Sequence, residues 1–319
     1  MEFLNKIILS DCLEGIKQMP DNSVDCCISS PPYCGLRDYG VVGQIGLEEN
    51  YSEFIAKLIE LYSEIQRVLK PTGTCFVNLG DTYAGSGSGT TKNADTSKYV
   101  ENSKQVYVLP NGTAKASKFR GTNLNKSLLM IPERFAIGMI DAGWILRNQI
   151  IWHKPNQMPS SATDRFTVDF EKIFFFVKQS TGYYFEQQLE PYTKPLDRWG
   201  GDDLEANGNS TWDNGTGQTT YRNRNMRPNP DGKNMRTVWS INTEPFPEAH
   251  FATYPEKLVK RMIEAGCPEN GLVLDPFMGA GTTAVVAKKL NRNYTGFELN
   301  PKYKLIAENR LIKEVGLFL

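Results

Sequence analysis

Apolar positions follow two periods along this chain. Short runs with little polar interruption lie at 6–9, 24–28, 74–79, 145–152, 172–178, 272–274 and 294–297, each bounded by turn residues. A run such as Val24 to Ile28, apolar on both faces, predicts a strand buried in a parallel sheet. Residues 237–241 are strand-like as well. Between these runs the spacing turns helical. Apolar residues at 51, 54, 55, 58, 61, 62, 65, 68 and 69 predict a long helix, ended by Lys70-Pro71-Thr72-Gly73. Cys12 to Met19 predicts a helix, as does Pro132 to Ala142, with Pro near its start and Gly143 after its end. Thr253-Tyr254-Pro255-Glu256 reads as a capping box opening a helix that Gly266 closes. A further helix spans Thr282 to Leu290, and Asn300-Pro301 caps a last one to about Val315. Strands alternating with helices predict an α/β chain.

Two stretches break the pattern. Residues 84–126 turn polar, with Gly85-Ser86-Gly87-Ser88-Gly89 near the start. A loop this long is functional or disordered as a rule, and here it reads as disordered without ligand. Residues 181–236 are rich in Asn, Gly, Thr and Arg, hold Trp199 and Trp212, and show little periodicity. They read as an inserted module. The expected organisation is therefore 1–180, an insertion at 181–236, and 237–319, the outer two forming one domain.

At 319 residues and 40% hydrophobic content the chain is long enough for one large α/β domain with an insertion. No apolar run approaches the ~18 residues of a membrane span, and the first ten residues lack a signal peptide's apolar segment. A cytoplasmic location is expected by default. None of the six cysteines forms a C-x-x-C pair, so they read as reduced core residues. With two histidines, no metal site is expected. Formal net charge is zero, so any nucleic-acid surface must be local. Two patches qualify: Lys115, Lys118 and Arg120 in the first polar stretch, and Arg222, Arg224 and Arg227 in the second. Taken alone, each looks like ordinary solvated loop charge.

Two motifs carry chemistry. The apolar run 272–274 ends in Asp275-Pro276-Phe277-Met278-Gly279-Ala280-Gly281-Thr282-Thr283. Strand, glycine turn and helix start follow in order. Glycines let backbone approach a ligand without a Cβ in the way, and the helix start offers unpaired N–H groups. Strand 24–28 runs into Ser30-Pro31-Pro32-Tyr33, where two prolines end it and project Tyr33 from its carboxyl end. The full glycine-loop run resembles the S-adenosylmethionine loop of DNA amino-methyltransferases, and Ser30 to Tyr33 resembles their catalytic tetrad. The tetrad comes first and the glycine loop last, the order of the circularly permuted beta group. Only 84–126 and 181–236 fall outside the resemblance.

The resemblance implies a Rossmann-like methyltransferase fold: a mostly parallel, doubly wound sheet, circularly permuted, with an inserted target-recognition region. It implies S-adenosyl-L-methionine as cofactor and double-stranded DNA as substrate. Asp275, Pro276, Phe277, Gly279, Gly281, Thr282 and Thr283 would surround the cofactor, Glu298 would accept from its ribose, and Asp11 from its adenine amine. His250 to Pro255 resembles the family's additional cofactor motif, bringing in Phe251 and Thr253. Tyr254 stands where adenine methylators often carry lysine, so a lysine contact is missing there. A serine at the head of the tetrad usually accompanies cytosine N4, and no cysteine follows a proline as C5 attack requires. N4-methylcytosine is therefore expected, with N6-methyladenine as the alternative. A dinucleotide oxidoreductase would leave Ser30 to Tyr33 unexplained. A non-catalytic DNA-binding subunit fits poorly with intact motifs. A restriction-modification setting follows from the family, while a cognate endonuclease and the choice between monomer and homodimer stay open.

Overall fold

The structure is a computed structural model that describes residues 3–35, 40–48, 50–84, 126–192, 229, 231–244 and 254–316. The elements follow in the order β1 (Lys6–Leu9), α1 (Cys12–Lys17), β2 (Val24–Ser29), α2 (Tyr51–Val68), β3 (Leu69–Leu79), α3 (Ile131–Asp141), β4 (Ile145–His153), β5 (Phe170–Val177), β6 (Leu189–Glu190), β7 (Lys233–Asn234), β8 (Val238–Ser240), α4 (Glu256–Gly266), β9 (Leu272–Asp275), α5 (Thr282–Lys289), β10 (Asn293–Glu298) and α6 (Pro301–Val315). They divide into two compact units: Met1–Glu186 with Thr237–Leu319, and Gln187–Arg236. Within the second unit, β6 and β7 pair antiparallel, and Arg236 donates to Glu190 at 2.6 Å.

The first unit is built on one eight-stranded sheet in the order β1-β10-β9-β2-β3-β5-β4-β8. Its strands pair in parallel except along β5, which runs antiparallel to β3 and β4. The chain's first strand therefore lies beside its last, with Leu9 opposite Glu298. Joining the two ends gives an unbroken series of strand and crossover, as the permuted motif order implies. Helices α1, α2 and α3 pack together, and α4, α5 and α6 form a second contiguous group. Tyr62, Phe135, Phe174 and Phe176 fill the core under the first group, with Tyr62 and Phe135 edge to face at 5.2 Å. At Gly266 of α4 a Cβ would stand 2.5 Å from the Phe76 ring. That glycine allows close approach to the sheet and is the last residue of the helix, which Cys267 caps in an extended conformation.

Two local expectations are corrected. Strand β3 begins at Leu69, five residues early, because Leu69 already pairs with Val24; the register then shifts so that Cys26 meets Thr74. Lys70 to Gly73 bulge out within a strand instead of forming a free turn. The helix start differs as well: α4 is capped by Pro255, which has no side-chain acceptor, and Thr253 of the expected capping box lies outside the described residues. All six cysteines are buried thiols, none of them in a disulfide. No described helix is long and apolar enough to cross a membrane, and the described residues hold no metal-type cluster.

Strands β2 and β9 meet at the middle of the sheet through Cys26–Val273 and Cys27–Leu274. The buried Asp25 carboxylate reinforces them, accepting from Leu272 N at 2.8 Å and from Lys70 Nζ at 2.7 Å. Asp25→Ala should therefore cost about 2–3 kcal/mol, since it strands a buried N–H and removes a charged acceptor. The Lys70 side chain is 39% exposed, so water screens its pair with Asp25, which keeps its bond to Leu272 N; Lys70→Ala should cost about 1 kcal/mol. Denaturant titration of both variants tests the order.

Candidate active site

The strand order reverses between β9 and β2: one continues outward through α5 to β10, the other through α2 to β3. Such a switch point opens a crevice at the carboxyl ends of the strands. Asp275 ends β9, Glu298 ends β10, Asp11 follows β1 and Ser30 follows β2. Four residues far apart in the chain thus reach one edge of one sheet.

Asp275 is fully buried. One oxygen accepts from Phe277 N at 2.9 Å, and the other from Tyr254 Oη at 2.8 Å and Thr283 Oγ1 at 2.5 Å. The hydroxyls of Tyr254 and Thr283 also touch each other, so their two protons are shared among three oxygen contacts. Burial raises the Asp275 carboxyl from 3.8 to about 6, against the lowering effect of Thr283, Phe277 N and Tyr254. Burial and the adjacent Asp275 push the Tyr254 phenol well above its ordinary value, so it remains a neutral donor. In place of a lysine, Tyr254 thus makes a contact of its own to a carboxylate. Phe251 and Thr253 lie outside the described residues.

The glycine loop serves two separate ends. Gly279 has φ +52, and among the described residues only the Phe277 carbonyl comes near a built Cβ, at 3.8 Å. Its N–H donates to Glu298 Oε2 at 2.8 Å. Gly281, at φ +79, caps α5, and a Cβ there would stand 2.8 Å from the Ala307 Cβ. It is needed for packing against α6. Thr282 is buried with its hydroxyl accepting from Arg310 at 2.8 Å, so that oxygen is engaged between α5 and α6. Pro276 continues the turn from Asp275, and Phe277 packs against the core. Glu298 also accepts from Asn300 N at 2.8 Å; burial raises its pKa, with those two N–H groups opposing. Asp11 caps α1, accepting from Glu14 N at 3.1 Å.

The tetrad sits where β2 ends. Pro31 is buried, while Ser30, Pro32 and Tyr33 are half-buried. Ser29, one residue earlier, shares a hydrogen bond of 2.5 Å with Tyr62 Oη of α2 and anchors the strand end. The Tyr33 ring lies against Gly80, where a Cβ would come within 2.5 Å of it. Its hydroxyl donates to Glu171 at 2.5 Å, and Glu171 is ion-paired to Lys154. Asn78, Lys154 and Glu171 belong to no motif in the sequence. Polar residues at strand ends carry no local mark, and only pairing brings the start of β5 beside the ends of β3 and β4. Lys115, Lys118, Arg120, Arg222, Arg224 and Arg227 lie outside the described residues.

The residues present fit S-adenosylmethionine. A loop opened by Gly279, a buried acidic strand end and a second carboxylate at the neighbouring strand suit a ligand that carries both a sulfonium charge and ribose hydroxyls. The Asp275 titration supplies a test by linkage. A folded carboxyl at about 6 against 3.8 unfolded binds more protons when folded, so its contribution to stability falls as pH rises between those values. Two units correspond to about 3 kcal/mol. Stability of Asp275→Asn relative to the unaltered protein should improve by roughly that amount from pH 4 to pH 7. Chemical denaturation across that range checks it, and an unchanged difference would show that the carboxyl is not buried as described.

Comparison with known proteins agrees with this geometry. The family model described as DNA methylase, covering N6 and N4 enzymes, matches residues 24–309. The Type II methyltransferase M.SmaI of Serratia marcescens is 36% identical over 309 residues, covering 97% of this chain and 91% of its own. M.Cfr9I of Citrobacter freundii is 38% identical over 301 residues, covering 94% and 85%. Among solved structures, the PvuII cytosine-N4-specific DNA methyltransferase superposes with a TM-score of 0.60 at 18% identity, over 96% of this chain and 85% of its own. M1.HpyAVI complexed with S-adenosylmethionine does so with 0.53 at 19% identity, over 96% and 98%. The chain therefore belongs to the beta-group DNA amino-methyltransferases and is an S-adenosylmethionine-dependent DNA methyltransferase with the Rossmann-like fold of that family.

Proposed function

We propose that this methyltransferase modifies the exocyclic N4 amine of a cytosine turned out of double-stranded DNA. The observation that carries the proposal is the tetrad Ser30-Pro31-Pro32-Tyr33 at the end of β2, one strand from Asp275. An amine conjugated to a base is a poor nucleophile, because its lone pair is delocalised into the ring. Acceptors on its hydrogens draw it out of plane and free the lone pair. The Ser30 hydroxyl and the Pro31 carbonyl are the acceptors here. S-adenosylmethionine, when bound, supplies the electrophilic methyl group. An amine inside a duplex is out of reach, so the nucleotide must leave the stack, and Tyr33 offers it an aromatic face. Serine is short and uncharged, which suits the smaller pyrimidine. The PvuII methyltransferase, which shares this fold, is cytosine-N4-specific, and that specificity accords with the reading.

On this reading residues around Asp275, Phe277, Gly279 and Glu298 hold the cofactor. Asp11 retains lone pairs beyond its cap bond for the adenine amine, and Phe251 and Thr253 complete the methionine end. The unit Gln187–Arg236 reads the sequence through Arg222, Arg224 and Arg227, and Lys115, Lys118 and Arg120 bind phosphate. A Type II setting pairs the enzyme with an endonuclease of the same site, acting in the same cell.

Three measurements test these assignments. Ser30→Ala should lower turnover about a hundredfold, the usual loss for one well-placed polar group at the reacting centre, while cofactor affinity stays near its original value. Nucleoside mass spectrometry of DNA incubated with labelled cofactor should place the label in N4-methylcytosine; label in N6-methyladenine alone would overturn the base assignment and keep the family. Neutralising Lys115, Lys118 and Arg120 together should weaken binding equally to all sequences and flatten the salt slope by about 0.9 for each phosphate no longer neutralised. A change in site preference would contradict the phosphate role.

A further inference from the structure

Three polar side chains that belong to neither motif converge on the aromatic member of the tetrad. Tyr33 Oη donates to Glu171 Oε2 at 2.5 Å, and Asn78 Nδ2 donates to the same oxygen at 3.1 Å. The other oxygen, Oε1, is paired with Lys154. The side chains of Lys154 and Glu171 are only 12% and 15% exposed, and Lys154 Nζ also lies 4.3 Å from the centre of the Trp152 ring. Gly80 supports the flank of Tyr33 with bare backbone. The ring is thus backed on one side and tied at its tip.

A secluded Lys–Glu pair is a poor device for stability. Desolvation of both charges offsets most of their attraction, and apolar residues of similar volume often serve the fold as well or better. What the pair does supply is a charged acceptor in a fixed place. A phenol bonded to a carboxylate makes one of the stronger hydrogen bonds available to it. Asn78 and Lys154 occupy the remaining sides of Glu171, so the carboxylate has little freedom to follow a moving ring. Any rotation of Tyr33 away from Gly80 breaks its bond to Glu171.

We infer that Glu171 and Lys154 are positioning residues for Tyr33, an ion-pair clamp that sets the ring as a ready-made wall of the base pocket before DNA binds. This rests on the tetrad being the base pocket. An aromatic ring already ordered loses no side-chain freedom when a base stacks on it. A ring without the clamp has to be ordered as the base enters, and small misplacements at a reacting centre are costly in rate. The loss should fall on turnover, not on cofactor binding or folding.

The test uses the full-length protein as Tyr33→Phe, as the paired variant Lys154→Met with Glu171→Met, and as all three changes together. The Met pair removes both charges at once, so no lone buried ion is left to unfold the chain. Methylation is followed on a duplex containing the enzyme's own site. Both Tyr33→Phe and the Met pair should lose about tenfold in kcat, with KM for S-adenosylmethionine and the thermal midpoint held within error of the unaltered enzyme. The triple variant should be no slower than the slower of the two, because each breaks the same tie. Losses that multiply in the triple variant, an unchanged kcat in either parent variant, or a kcat that falls only together with the thermal midpoint would overturn the clamp. Tyr33→Ala separates the two claims. Full turnover in that variant would remove the tetrad reading itself. An inactive Tyr33→Ala beside fully active Tyr33→Phe and Met-pair variants would remove the clamp alone.

Discussion

The pairing of β2 with β9 is the constraint on which the rest of this molecule depends. It joins residues 24–29, near the start of the chain, to residues 272–275, near its end. Two pairs of facing residues and the Asp25 carboxylate hold it. Because the strands are parallel, their carboxyl ends coincide, and the two motifs emerge side by side. The glycine loop and the tetrad, the proposed places of methyl donor and target amine, are brought to one crevice by backbone pairing, with no need for the long intervening chain to measure the distance. Circular permutation is harmless for the same reason. What the chemistry requires is which strand ends are neighbours, and the sheet preserves that wherever the chain is cut.

Around that junction the structure keeps several charges away from water, and each is answered differently. Asp25 meets an N–H and an ammonium, and serves the sheet. Asp275 meets two hydroxyls and one N–H but, among the described residues, no cation, so burial prevails and raises its carboxyl to about 6. Glu298 is held by two backbone N–H groups of the adjoining turns. Glu171 has a full ion pair and directs it at Tyr33. Asp275, with no positive partner among the described residues, stands at the loop proposed to hold the cofactor, where a cationic ligand would relieve it. Glu171, paired with Lys154, stands at the tetrad, where the proposed clamp holds the ring of Tyr33.

Much of this was legible without coordinates. Periodicity located β1, β2, α2, β10 and α6 nearly residue for residue, because each is a strongly patterned segment bounded by turn or cap residues such as Asn300 and Pro301. The misplacements have specific causes. The bulge in β3 follows from Val24 pairing with Leu69, a partner remote in sequence. The start of α4 at Glu256 follows from Pro255 taking the cap position itself. Within the glycine-loop motif, the Thr282 hydroxyl also accepts from Arg310, a partner 28 residues later that no local pattern announces.

The sequence by itself determined the class of the protein, its two motifs and their permuted order. Those are properties of contiguous residues: apolar period, glycine at turns that need it, and a serine before two prolines. Only the tertiary structure decided which polar side chains serve those motifs. Tyr254 meets Asp275 and Thr283, and Lys154, Glu171 and Asn78 gather on Tyr33, across strands whose neighbours are set by the sheet. A hydrogen bond forms between atoms a few ångströms apart, and strand order, not separation along the chain, decides which atoms come that close.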